Sequence, residues 1–170
     1  MRKSYISVWG SEGEFAPQGG GGGGGSIEIV QVKSGNGGGG TGTTLNLTFD
    51  QSVTPGNSII AVGSGDSSTA FTDNSAANWS TNQSDTFVFV VDENNSLEER
   101  INISWVPNAN GGSTTVTLTL NCATHRDVVI YEVANINTVD ATNFDSRNTA
   151  NPNTGTVVTS AAALIISAMQ

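Results

Sequence analysis

The sequence predicts an all-β protein: an antiparallel β-sandwich, jelly-roll or Ig-like, with an extended glycine-rich N-terminal arm. Three observations predict it. Apolar residues come in short clusters that alternate with polar ones, the period of a half-buried strand. Gly, Ser, Thr and Asn are abundant, whereas charged residues make up only 12 % of the chain, about half the usual share. The breaks between clusters are turn chemistry, such as "DENNS", "PNANGGS" and "NPNTG". No helical period competes. At 170 residues the chain divides into an arm, 1–25, and one sandwich domain, 26–170, of a size that supports one independent core.

Residues 1–25 hold Tyr5, Ile6, Val8, Trp9 and Phe15 in a segment too short and too glycine-rich to build a core. Arg2 and Lys3 imitate the start of a signal peptide, but Gly10, Glu12, Gly13 and Glu14 interrupt the apolar run such a peptide needs. Seven consecutive glycines, Gly19–Gly25, follow. They read as a flexible hinge, whether native or left by a cloning junction.

The strands begin with "SIEIVQV" (26–32), and "SGNGGGGTG" follows as a glycine-rich loop. "TTLNLTF" (43–49) alternates, with Leu45, Leu47 and Phe49 on one face and Thr44, Asn46 and Thr48 on the other. "VTPGN" (53–57) predicts a turn with Pro second and Gly third. Further strands are expected at 58–64, 86–92, 100–106, 114–120, 127–133, 155–159 and 163–169. One-faced sheets must cover each other, so strands of this kind imply two packed layers.

Four stretches, in order, resemble a β-sandwich domain common in bacterial surface proteins and phage structural proteins. They are "VTPGNSIIAV" (53–62), "FTDNSAANWS" (71–80), "VPNANGGSTTVTLTL" (106–120) and "VVIYEVANINTVDAT" (128–142). "TSAAALIISAM" (159–169) resembles its closing strand. Sandwiches of this kind serve as adhesive or carbohydrate-contacting modules and as capsid cement or decoration domains, so the resemblance bears on fold more than on task. Its relatives commonly run one strand further. With the sequence stopping at Gln170, either the domain is trimmed or a strand position is open, and an open edge invites a strand from another chain.

Net charge is −9, and the six basic residues are scattered. That predicts no nucleic-acid partner and no electrostatic membrane anchor. The single cysteine, Cys122, rules out an intramolecular disulfide and reads as a small buried hydrophobe at a strand end. His125 is the only histidine; with Cys122 it supplies two ligands, too few for a zinc site. No catalytic signature is present, and no enzyme, metal or cofactor is expected. The weak exception is calcium, for which Asp66, Asp73 and Asn74 offer an oxygen-rich loop. Glu132 shares a face with Ile130, opposite Tyr131 and Val133. If Tyr131 points inward, Glu132 faces solvent. Trp79 and Trp105 read as core or rim residues; exposed, they would stack on sugar rings instead.

The leading expectation is a virion structural protein, a phage capsid cement or decoration subunit on the capsid surface. Its partners would be the major capsid or another virion protein and further copies of itself. Tyr5, Ile6, Val8, Trp9 and Phe15 would be the arm's contacts. The alternative is an extracellular or cell-surface adhesive or carbohydrate-binding module, or a filament subunit.

Overall fold

The computed structural model describes residues 5–10, 26–38, 44–66, 78–95, 99–120, 125–136, 138 and 164–169. Every element among them is a strand. In chain order they are β1 (Tyr5–Gly10), β2 (Glu28–Gly38), β3 (Thr44–Thr48), β4 (Ser58–Asp66), β5 (Asn78–Thr81), β6 (Val88–Asn95), β7 (Glu99–Val106), β8 (Thr115–Thr119), β9 (His125–Ala134) and β10 (Leu164–Met169). The strands form a five-stranded sheet, β2-β9-β4-β7-β6, a three-stranded sheet, β3-β8-β5, and a two-stranded ribbon, β1-β10. All pairings are antiparallel. The all-β, sandwich-like expectation holds at that level. Residues 155–159, Phe15, Asp73, Asn74 and Cys122 lie outside the described residues.

The two larger sheets meet through one core. Leu47, Trp79, Val116 and Leu118 of the three-stranded sheet pack with Ile59, Ala61, Val128 and Ile130 of the five-stranded one. Leu118, Ile59, Ala61 and Ile130 are fully buried. The other face of the three-stranded sheet is polar, as the alternation predicts. There Thr48 and Thr115 share a hydroxyl–hydroxyl bond of 2.8 Å, and the Thr117 hydroxyl donates to Asn46 at 2.7 Å.

Three local features differ from the sequence reading. β2 runs on through the glycines to Gly38, where a loop was expected. The reason is packing: a Cβ on Gly35 would stand 2.5 Å from Leu47 Cδ2, so glycine lets the strand continue beneath a core leucine. β5 and β1 were not anticipated as strands. β5 is four residues long, too short to show a period.

The turn at 54–57 is as expected. Gly56 has φ of 88° and the Asn57 amide donates to Thr54 O at 3.1 Å, a type II turn. It docks against the 107–112 loop, with Gly56 N bonded to Ala109 O at 3.0 Å and Gly112 N to Val53 O at 2.9 Å. Gly111, at φ 81°, closes that contact; a Cβ there would lie 2.6 Å from Pro55 Cγ. Gly111→Ala is expected to cost about 1–2 kcal/mol for the left-handed backbone, with the clash added. Thermal unfolding should show a clearly lower Tm, whereas Gly56→Ala, with open space around its Cβ, should pay the backbone cost alone.

Candidate association surfaces and buried polar sites

Within the five-stranded sheet, register assigns every side chain to a face. Ile59, Ala61 and Gly63 of β4 look toward the other sheet. Ile60 and Val62 look away, aligned with Tyr131 and Val129 on one side and Trp105 and Ile103 on the other. That outward face is also apolar. Ile60, Val62, Trp105, Tyr131 and Val133 form a second buried cluster, between 0 % and 8 % exposed, flanked by Ile27, Val90, Ile103, Val129 and Ile136. The sheet is therefore buried on both faces along its three central strands.

The two edge strands are not. Ile29, Val30 and Val32 of β2 are 39–53 % exposed, and Val88 and Phe89 of β6 are 47–48 % exposed. Both edges carry a register shift, at Ile29/Gln31 and at Phe89/Val91. Bulges of this kind hinder edge-to-edge strand pairing. Half-exposed apolar side chains on both edges instead offer surface for packing against another protein.

Glu132 does not face solvent. It is 0 % exposed and lies on the inner face of β9, while Tyr131 is buried on the opposite face. Both orientations are buried because both faces of the sheet are covered. Its carboxylate accepts hydrogen bonds from Gln31 Nε2 at 2.6 Å, Asn57 Nδ2 at 2.6 Å and the Thr54 amide at 2.8 Å. Gln31 bonds onward to the backbone of Gln51 through both its side-chain atoms, each at 3.2 Å. Burial pushes the Glu132 carboxyl up, but the bonds from Gln31, Thr54 and Asn57 together outweigh it and hold it below its ordinary value. The carboxylate pins the 50–57 segment to β9 and β2. Nearby, Lys33 and Asp50 form a solvent-exposed ion pair at 2.5 Å, of little energetic weight.

Trp79 and Trp105 are 6 % and 8 % exposed and belong to different clusters, on opposite faces of the five-stranded sheet. Neither presents a ring face to solvent, and together they form no sugar-stacking pair. The Trp79 indole N–H donates to Asn102 Oδ1, which also accepts from the Ser104 hydroxyl at 2.9 Å. The Asn102 amide nitrogen is buried with no hydrogen-bond partner among the described residues.

At the far end of the inner face, Arg100 and Arg126 flank Gly65 from β7 and β9, and are 5 % and 4 % exposed. Two of the six scattered cations thus lie one strand apart, each engaged within the chain. Burial lowers the Arg126 pKa from a value so high that the guanidinium stays charged. Asp66 ends β4 opposite Glu99 and His125; His125 is exposed. Among the described residues no three His, Cys, Asp or Glu side chains gather to hold a metal ion, and no helix is long and apolar enough to cross a membrane.

The arm residues Tyr5, Ile6, Val8 and Trp9 fall on β1, whose partner is β10 of the same chain: Tyr5 aligns with Met169, Ile6 with Ala168, Val8 with Ile166 and Trp9 with Ile165. Compared with family models, curated proteins and solved structures, the chain matches none. The edge valines and Glu132 were missed as sites. For the edges the signal was present in "IEIVQV" and "FVFVV", runs too apolar for strands with one solvated face.

Proposed function

We propose that the protein is a non-enzymatic structural subunit, of the kind that cements or decorates a phage capsid, and that it joins neighbouring shell proteins and other copies of itself. The observation that carries this reading is the pair of apolar edges. Ile29, Val30 and Val32 on β2 and Val88 and Phe89 on β6 stay exposed at opposite margins of one sheet. A subunit with two such margins has a contact for a neighbour on each side, the arrangement that extended or closed assemblies require. The four stretches that resemble phage and surface sandwiches agree with a jelly-roll or Ig-like elaboration of the observed sheets. The net charge of −9 suits a contact made by apolar packing over one made to nucleic acid. Modest contacts of this kind become strong when repeated over a symmetric shell.

The N-terminal strand is the second contact. Each large apolar side chain it buries against a neighbour would contribute about 1.5–3 kcal/mol before ordering costs. The test is association measured by sedimentation or particle co-purification. Val32→Lys with Val88→Lys should abolish association while changing monomer stability by no more than about 0.5 kcal/mol per site, since both are half exposed. Deleting residues 1–25 should weaken association. Unchanged association in the double lysine variant would end the edge reading, and unchanged association in the truncated chain would end the arm's part in it. Binding to a glycan array by the full chain would favour the adhesive-module reading instead.

A further inference from the structure

The outward face of the five-stranded sheet has an occupant that the two sandwich sheets do not supply. Ile60, Val62, Trp105, Tyr131 and Val133 are 0–8 % exposed, although the three-stranded sheet packs on the opposite face. The burial is that of one chain alone, so the cover belongs to the same chain. Its footprint can be read from the exposure across the sheet. The face is open at β2 (Val32, 53 %), closed at β9 (Tyr131, 5 %), β4 (Val62, 1 %) and β7 (Trp105, 8 %), and open again at β6 (Val88, 47 %). The cover is complete over the three central strands and thins toward the margins, where Val90 of β6 is only partly buried. Along β4 the covered stretch is Ser58 to Val62, about 17 Å at strand rise.

We infer that this face is the seat of the chain's own terminal ribbon, β1 paired with β10. Three features match. Narrower than the five-stranded sheet, and so leaving its margins uncovered, the ribbon is built of two paired strands about 5 Å apart. Each is six residues long, about 20 Å, which fits the covered stretch. And "YISVWG" with "LIISAM" are the described apolar strands that neither sandwich sheet uses. The apolar runs "SIIAV" and "VVIYEV" then have the composition expected of strands in the middle of three layers. The ribbon joins the first and last described strands of the chain, so both termini are held by one docking event.

A consequence follows for the proposed function, and rests on it. If β1 is donated to a neighbour, the donor's apolar seat is left bare. The element that fits that seat is the β1 of another copy, so donation is an exchange between identical chains.

The seat itself is tested on the dilute full-length chain, where loss of assembly has no bearing. In a Cys122→Ser background, Val62→Cys reports the outward face and Ala61→Cys the inner one. Both should resist a maleimide reagent. Adding Ser7→Pro with Val8→Pro, which breaks the β1–β10 ladder at either hydrogen-bonding parity, should speed labelling at position 62 at least tenfold and leave position 61 protected. Protection at both positions would overturn the inference. Should the prolines unfold the chain and expose both, nuclear Overhauser contacts of the Trp105 indole in the intact protein decide. Contacts to residues 5–9 or 164–169 support the ribbon, and contacts confined to 137–163 overturn it.

Discussion

Glu132→Ala is expected to lower the unfolding free energy by about 3 kcal/mol or more. Hydrogen bonds to a charged group contribute about 1.5–3 kcal/mol each, and this carboxylate accepts three, from Gln31, Asn57 and the Thr54 amide. It is fully buried, so water entering a cavity left by alanine recovers only part of the loss. Gln31 would retain its bonds to Gln51, which limits the damage on that side. Among the described residues Thr54 and Asn57 have no such second anchor through the same atoms, and the type II turn between them should loosen. Urea unfolding checks the magnitude; hydrogen exchange at Thr54 and Asn57 checks the locality. Wild-type stability in the alanine variant would show that the carboxylate is a passenger.

The same group sets an acid limit. Its carboxyl is held below the ordinary value near 4.5. A lowered folded-state pKa means that the unfolded chain takes up the proton more readily. The contribution is therefore complete above the unfolded value and disappears as pH falls through the folded one. Wild-type stability should hold near neutrality and drop in the acid range. Glu132→Gln should begin lower, because a side-chain amide meets donors with its own N–H groups, and should show a flatter acid limb. A parallel pair of pH curves would overturn this assignment.

Much of the fold was legible because its strands obey simple rules. "TLNLT" alternates because one face of the three-stranded sheet is solvated, and the structure returns that pattern. Pro55 and Gly56 mark their turn through backbone preferences local to the sequence, and Glu132 and the 107–112 loop then hold it in place. The failures share one cause. β4 and β9 are apolar on both faces, and a two-layer picture assigns one of those faces to solvent. Under that picture Glu132 had to face outward once Tyr131 faced inward. With both faces covered, Tyr131 takes the outward face and Glu132 the inner one, and neither reaches solvent. The glycines of β2 misled for a related reason. Gly35 looks like loop chemistry until Leu47 is placed over it, and no single stretch of sequence contains that contact. The edges were legible in composition but not in position, because strand order depends on pairings between residues as distant as Gly35 and Val128.

Trp79→Ala should match or exceed the Glu132 effect, at about 3–5 kcal/mol. The indole is 6 % exposed, lies 5.9 Å from the Phe87 ring by centroids, and covers Gly63 in the central strand of the facing sheet. Its N–H meets Asn102, so removing the ring leaves both a cavity and a weakened polar pair. Trp79→Phe should cost less, about 1–2 kcal/mol, since Ser104 still donates to Asn102. The fit between ring and glycine gives a sharper test than either variant alone. A Cβ on Gly63 would stand 2.9 Å from Trp79 Cζ2 and 2.8 Å from Leu118 Cδ2, so Gly63→Ala should itself destabilise by about 1–3 kcal/mol through overpacking. Once Trp79 is alanine, the added methyl meets one obstacle instead of two and fills part of the cavity. The two losses should then sum to more than the double variant shows, by at least about 1 kcal/mol. Additive losses would mean that the indole and Gly63 do not share the slot seen between the two sheets.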